Sequence, residues 1–145
     1  MKVISDKLES VVTHSVPLLK NLDERTVSEK GNNDQWSKKE ILGHLIDSAA
    51  NNHQRIVRVL YHAADTFPPY DQNAWVRVQQ YIIMPWDHLI ELWSVYNKHL
   101  CMIIANIPEG EINTLCDIGK GEPVTLEFVV KDYLRHLQHH LAQLI

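Results

Sequence analysis

Cysteine is scarce in this chain of 145 residues. Only Cys101 and Cys116 occur, outside any C-x-x-C spacing, which excludes both a disulfide framework and a four-cysteine zinc module. A basic block is missing too: 14 lysines plus arginines stand against 18 aspartates plus glutamates, a net charge of −4. Neither nucleic acid nor an anionic membrane surface is therefore the expected partner. No apolar run approaches the roughly 20 residues of a membrane span. The opening Met1-Lys2-Val3-Ile4-Ser5-Asp6-Lys7 meets charge too early for the apolar stretch of a secretory signal, so the expected setting is cytoplasmic. What the chain has in plenty is histidine, nine residues in all. A chain of this length can bury roughly two thirds of its unfolded surface in one core, so residues 1–145 read as a single domain without covalent staples.

Four stretches carry helical periodicity. Between Ser5 and Leu22, the residues Leu8, Val11, Val12, Ser15, Leu18, Leu19 and Leu22 recur at spacings of three and four, forming one face of a helix that Pro17 should kink or end early. Ser37-Lys38-Lys39-Glu40 reads as a capping box, opening a second helix that runs to about Ala63. The segment from Asp65 to Met84, with Pro68, Pro69, Tyr70 and Asp71, reads as a long crossover holding one helical turn. Pro85 opens the third helix, whose stripe of Leu89, Trp93, Tyr96, Leu100, Ile103 and Ile107 ends at Pro108 and Gly110. The stretch from Glu111 to Pro123 suggests a short hairpin, and Thr125 can cap a last helix running to the C-terminus. The expected fold is all-α, a four-helix bundle with a long crossover between the second and third helices.

Three histidines fall within five residues of the last helix. At about 100° per residue, with His136 at zero, Leu126, Val129, Val130, Tyr133, Leu134, Leu137, Leu141 and Leu144 occupy an arc of roughly 20° to 160°. On that wheel His140 lies inside the apolar arc, His136 on its edge and His139 on the solvent side. An i, i+4 pair of inward imidazoles is a ready bidentate metal site. The second helix places Ile41, Leu45, Ala49, Ile56, Val59 and Leu60 toward the core and His44 at the border of that stripe. If the second and last helices are neighbours, His44, His136 and His140 can converge, and three neutral nitrogen ligands with water beside them make an open coordination set. Other metal chemistries fit badly, because neither a Glu-x-x-His pair nor H-E-x-x-H occurs. Gly119-Lys120-Gly121 lacks the third glycine and the setting of a dinucleotide loop.

Trp36-Ser37-Lys38-Lys39-Glu40 through His44-Leu45-Ile46-Asp47-Ser48, then Tyr70-Asp71-Gln72-Asn73-Ala74-Trp75, and the ending Asp132 to Gln143 with its H-x-x-H-H, resemble the DinB/YfiT-like superfamily of metal-dependent enzymes. The resemblance implies a four-helix bundle, usually a homodimer, holding one divalent transition metal (zinc, nickel or iron) per chain. It implies His44, His136 and His140 as the ligands and leaves His139 out. It also implies a small-molecule substrate, with hydrolase or thiol S-transferase chemistry and a low-molecular-weight thiol as one cosubstrate class. The alternative is a metal-binding bundle that serves as a non-catalytic sensor or binding module. The sequence names no catalytic acid or base. Around the site, Asp47 reads first as a solvated helix carboxylate, and Arg55 as a substrate carboxylate anchor or an ordinary helix salt bridge. Tyr70 and Asp71 either approach the site mouth or shape a turn with the prolines. Cys101 reads as a small buried apolar residue, and the four tryptophans as packing anchors.

Overall fold

The computed structural model describes residues 1–31, 35–62, 66–119 and 121–145. Four long helices, α1 (Lys2–Lys20), α3 (Lys38–Tyr61), α5 (Trp86–Ala105) and α6 (Leu126–Leu144), make up the bundle, with short α2 (Glu24–Ser28) and α4 (Gln72–Gln79) in the links. Helix α5 packs against both α1 and α3, and α6 closes the bundle against α3 and α1. The second and last long helices are therefore neighbours, as convergence of their histidines requires.

Local chemistry sets where the helices begin. The Ser37 hydroxyl accepts from the Glu40 amide at 3.3 Å while a Glu40 carboxylate oxygen accepts from the Ser37 amide at 2.8 Å, closing the capping box that starts α3. Thr125 Oγ1 accepts from the Phe128 amide at 3.1 Å and starts α6. Every residue of the apolar arc on α6 is buried, from Leu126 to Leu144. Of the two outcomes expected at Pro17 in α1, a kink or an early end, the early end does not occur. The helix runs to Lys20 because Pro17 lies on the solvent face of the last turn while Leu19 is fully buried beside it. Leu18, expected on the apolar face, is half exposed.

The link from 62 to 85 differs from an irregular crossover with one turn. It contains the two turns of α4, capped by Asp71 Oδ1 accepting from the Ala74 amide at 3.0 Å, and a 3-10 turn at Tyr81–Ile83. Gln80 joins the two in a left-handed conformation, φ 52°, and so turns Tyr81 inward. Tyr81 lies on the surface of Gly43 in α3, where even a single Cβ would stand 2.1 Å from the ring. The expected hairpin forms, with its first strand inside the proposed stretch and its second just past Pro123: β1 (Leu115–Cys116) pairs antiparallel with β2 (Val124–Thr125), Leu115 opposite Thr125. The Phe67 amide donates to the Asp117 carbonyl at 2.7 Å and ties the link to this hairpin. The expected end of the second helix at Ala63, Asp65 at the start of the crossover, and Lys120 lie outside the described residues.

Candidate metal centre

Contact between α3 and α6 brings His44, His136 and His140 together, each offering one ligand atom within 4.8 Å of the others. The Nε2 atoms of His44 and His136 stand 3.1 Å apart. Ring centroids are 5.0 Å apart for His44 and His136, 4.9 Å for His44 and His140, and 4.6 Å for His136 and His140. His44, which the sequence put at the border of a stripe, has no exposed surface at all. The two rings of α6 cover it from one side and Trp36, at a centroid distance of 5.0 Å, from another. His139 is exposed, as expected.

Electrostatics keep these rings uncharged. Burial, followed by repulsion from the other two imidazoles, pushes His44 down to about 3; burial and His140 push His136 down to about 4, and burial lowers His140 as well. At neutral pH all three are neutral imidazoles with lone pairs available. Their outer nitrogens have partners on two of the rings: Ser48 Oγ lies 3.4 Å from His136 Nδ1, and Gln143 Oε1 lies 3.3 Å from His140 Nδ1. A proton on Nδ1 of His140 is thereby satisfied by the amide oxygen, leaving Nε2 as a ligand atom.

The donor set fits a divalent ion. His44 is sealed from water, its Nδ1 has no hydrogen-bond partner among the described residues, and its Nε2 meets another imidazole nitrogen. With the rings protonated on Nδ1, the converging Nε2 atoms turn lone pairs toward one another with no proton between them, an arrangement that a cation relieves and that a purely structural core would carry at a cost.

The remaining expectations divide. Asp47 is not a solvated carboxylate: it is 2% exposed, because α4 and the 3-10 turn cover that side of α3, and its Oδ1 accepts from Tyr81 Oη at 2.6 Å and from Gln79 Nε2 at 2.5 Å. Burial raises its carboxyl above the ordinary range despite those two donors. Asp71 caps α4 and belongs to the turn rather than the site. Arg55 and Tyr70 line a cavity of about 120 Å³ together with Ser48, Asn52, Asp132 and His136. This cavity reaches the three-histidine cluster through His136. Cys101 is buried with its thiol pushed up to about 11, an apolar residue as expected. Trp93 and Trp86 are packing anchors, whereas Trp75 is 38% exposed and leans on Tyr70.

Sequence reasoning missed Gln79, Tyr81 and Asp132. Asp132 carried a signal, since it precedes His136 by four residues and therefore shares its face of α6. Gln79 and Tyr81 carried none, because it is the packing of α4 and the turn after it against α3 that brings them to Asp47.

Two Oceanobacillus iheyensis proteins, each bearing the name "Putative metal-dependent hydrolase", are 21% identical to this chain. One alignment covers 75% of the chain and 63% of the relative, the other 97% and 83%. The chain thus spans just under two thirds of the first of them. Among solved structures, YfiT from Bacillus subtilis, described as "a probable metal-dependent hydrolase with an unusual four-helix bundle topology", superposes with a TM-score of 0.82 at 19% identity over 97% of this chain and 83% of that one. A mycothiol-dependent maleylpyruvate isomerase superposes at 0.79 and 14% identity, over 99% of this chain and 60% of that one. At these identities the superpositions establish the shared fold. A family model matches residues 8–144, from the first buried leucine of α1 to the last of α6, and the chain belongs to the DinB superfamily.

Proposed function

We propose that this chain is a divalent-metal-dependent enzyme acting on a small molecule, with His44, His136 and His140 as the ligands of one ion. One observation carries the reading: three neutral imidazoles from two helices, one buried and two half-buried, bring a ligand atom each within 4.8 Å of the others. The names of the relatives support it. A zinc, nickel or iron ion held by three uncharged ligands keeps its full positive charge and supplies Lewis acidity that lowers the pKa of a bound water or thiol.

The chain's own residues do the rest. Ser48 and Gln143 orient the outer nitrogens of His136 and His140, while Trp36 and the bundle interior exclude water behind His44. The cavity beside His136 admits a small substrate on the remaining side. Burial pushes the Tyr70 phenol up to about 12, so at neutral pH it keeps its proton and acts as a hydrogen-bond donor in that cavity. Hydrolysis and thiol transfer are both compatible with this arrangement, and a low-molecular-weight thiol is one substrate class to test.

The test is elemental analysis of the purified wild type, His140→Ala and His139→Ala. About one equivalent of metal is expected in the wild type and in His139→Ala, and a clear loss in His140→Ala. Equal metal in all three would refute the site. Turnover of activated esters, and of electrophiles with a panel of thiols, should then disappear with chelator and return with metal. Bound metal without turnover of either class would make the chain a sensor or binding module.

A further inference from the structure

Arg55 stands in the cavity beside the histidine cluster with no carboxylate at ion-pair distance among the described residues, although Asp132 and Tyr70 lie near enough to favour its charge. It follows His44 by eleven residues on α3, three turns along and on nearly the same bearing, and burial pushes its guanidinium below the ordinary range. No hydrogen bond or ion pair holds it among the described residues, so the ordinary helix salt bridge is not what it makes there. Asp132 is the acidic residue lining the same cavity, but its Oδ1 is engaged by Arg135, through Nε at 3.1 Å and Nη2 at 2.5 Å. Side chains on a helix lean toward its N-terminus, which carries Arg55 back toward Asn52 and Ser48, and Ser48 Oγ is 3.4 Å from His136. The cavity therefore has two chemical ends. One is the guanidinium of Arg55 with Tyr70 beside it, and the other is His136, the member of the three-histidine cluster that lines the cavity.

A partly buried guanidinium with unused donors is matched by a planar anion that accepts from both arms of the fork. We propose that Arg55, assisted by the Tyr70 hydroxyl, anchors a carboxylate of the substrate, so that the substrates are small carboxylic acids whose reacting group faces the three-histidine cluster. The orientation rests on the metal reading given above, whereas the anion anchor itself does not. A neutral analogue with a hydroxymethyl group in place of the carboxylate would leave the guanidinium without its acceptor and bind more weakly.

The test uses the cobalt-loaded chain and thiols with two, three or four carbons, mercaptoacetate, 3-mercaptopropionate and 4-mercaptobutyrate, each compared with the neutral thiol alcohol of the same length. Binding is read from the thiolate-to-cobalt charge-transfer band. At one or more of these lengths the acid is expected to bind about ten-fold or more tightly than its alcohol. That preference should vanish in Arg55→Met and be partly kept in Arg55→Lys, with far-UV circular dichroism confirming that both variants fold. Equal affinity for acid and alcohol at all three lengths in the wild type, or a preference that survives in Arg55→Met, would overturn the proposal. Failure of the metal reading is distinguishable, because it appears as absent cobalt before any thiol is added. In that case the side-chain Nε–H resonance of Arg55 in the metal-free chain is followed with acetate and with acetamide. A saturable shift with acetate only supports the anchor, and the same response to both, or none, refutes it.

Discussion

Asp47 keeps its carboxylate out of water while one of its oxygens, Oδ2, meets no partner among the described residues. Among the described residues the other oxygen is the one acceptor for both the Tyr81 hydroxyl and the Gln79 amide, and these two bonds hold the turn after α4 against α3. Replacement by alanine leaves the buried Tyr81 hydroxyl unsatisfied, at about 1–3 kcal/mol, whereas the exposed Gln79 amide can turn to water. Asparagine keeps an acceptor for Tyr81 and removes a desolvated charge. Asp47→Ala is therefore expected to lose about 1–3 kcal/mol in urea unfolding, and Asp47→Asn clearly less; equal losses would show that the charge, not the hydrogen bonds, is what matters. The sequence could not assign this role. A carboxylate three residues after a histidine on a helix is compatible with water or core, and burial here comes from a segment more than thirty residues away.

At the scale of elements, α3 is the one whose surroundings decide most. Its C-terminal half shows the expected amphipathic pattern, but from Leu42 to Ala49 it is buried on every side, and even Lys39 is 3% exposed, paired with Glu24 of α2. Helix periodicity identifies one inward face and cannot register that α2, α4 and the 3-10 turn cover the opposite one. Gly43 makes the point testable. Intrinsic helix propensity favours alanine over glycine by about 1 kcal/mol in a helix interior, yet a Cβ at this position would lie 2.1 Å from Tyr81. Displacing a buried ring in a packed core costs about 1–3 kcal/mol or more, enough to outweigh the propensity gain. Gly43→Ala is expected to lower the melting temperature; a rise would mean that Tyr81 can leave its seat freely. By contrast, the caps at Ser37 and Thr125 and the buried face of α6 were legible from the sequence, since each depends on residues within one or two turns of one another.

For the molecule as a whole, the histidine cluster makes stability depend on pH in a definite direction. His44 and His136 titrate in the folded chain at about 3 and about 4, against 6.5 when free, so below pH 6.5 the unfolded chain binds protons that the folded chain refuses. Each of the two then removes up to about 1.4 kcal/mol of stability per pH unit, until its folded pKa is reached. Asp47, whose carboxyl is raised, works in the opposite sense at the acid end and offsets part of this loss. The urea midpoint of the metal-free chain is expected to fall steadily from pH 6.5 to pH 4, and to fall less steeply in His44→Gln. A midpoint unchanged between pH 7 and pH 5 would contradict the desolvated, neutral state of the rings. Metal added at pH 7 should raise the melting temperature, by binding the folded chain in preference to the unfolded one. Chelator should reverse that gain, and because burial keeps the folded rings neutral until the pH approaches 4, the gain should persist at pH 5 and shrink only below it, where protons compete for the same nitrogens.

The sequence by itself determined the helical class of this protein, the starts of α3 and α6, the inward face of α6, and a short list of histidines from which a site could be assembled. All of these follow from spacing along one helix or from contacts a few residues apart, where the chain's own geometry leaves little freedom. Only the tertiary structure decided that α3 and α6 lie side by side, that His44 is sealed from water, that Asp47 is tied to Gln79 and Tyr81, and that Arg55 opens onto the cavity next to His136. Those outcomes depend on which helix faces which and on what the long link between α3 and α5 covers, and packing between distant segments leaves no periodic trace in either of them.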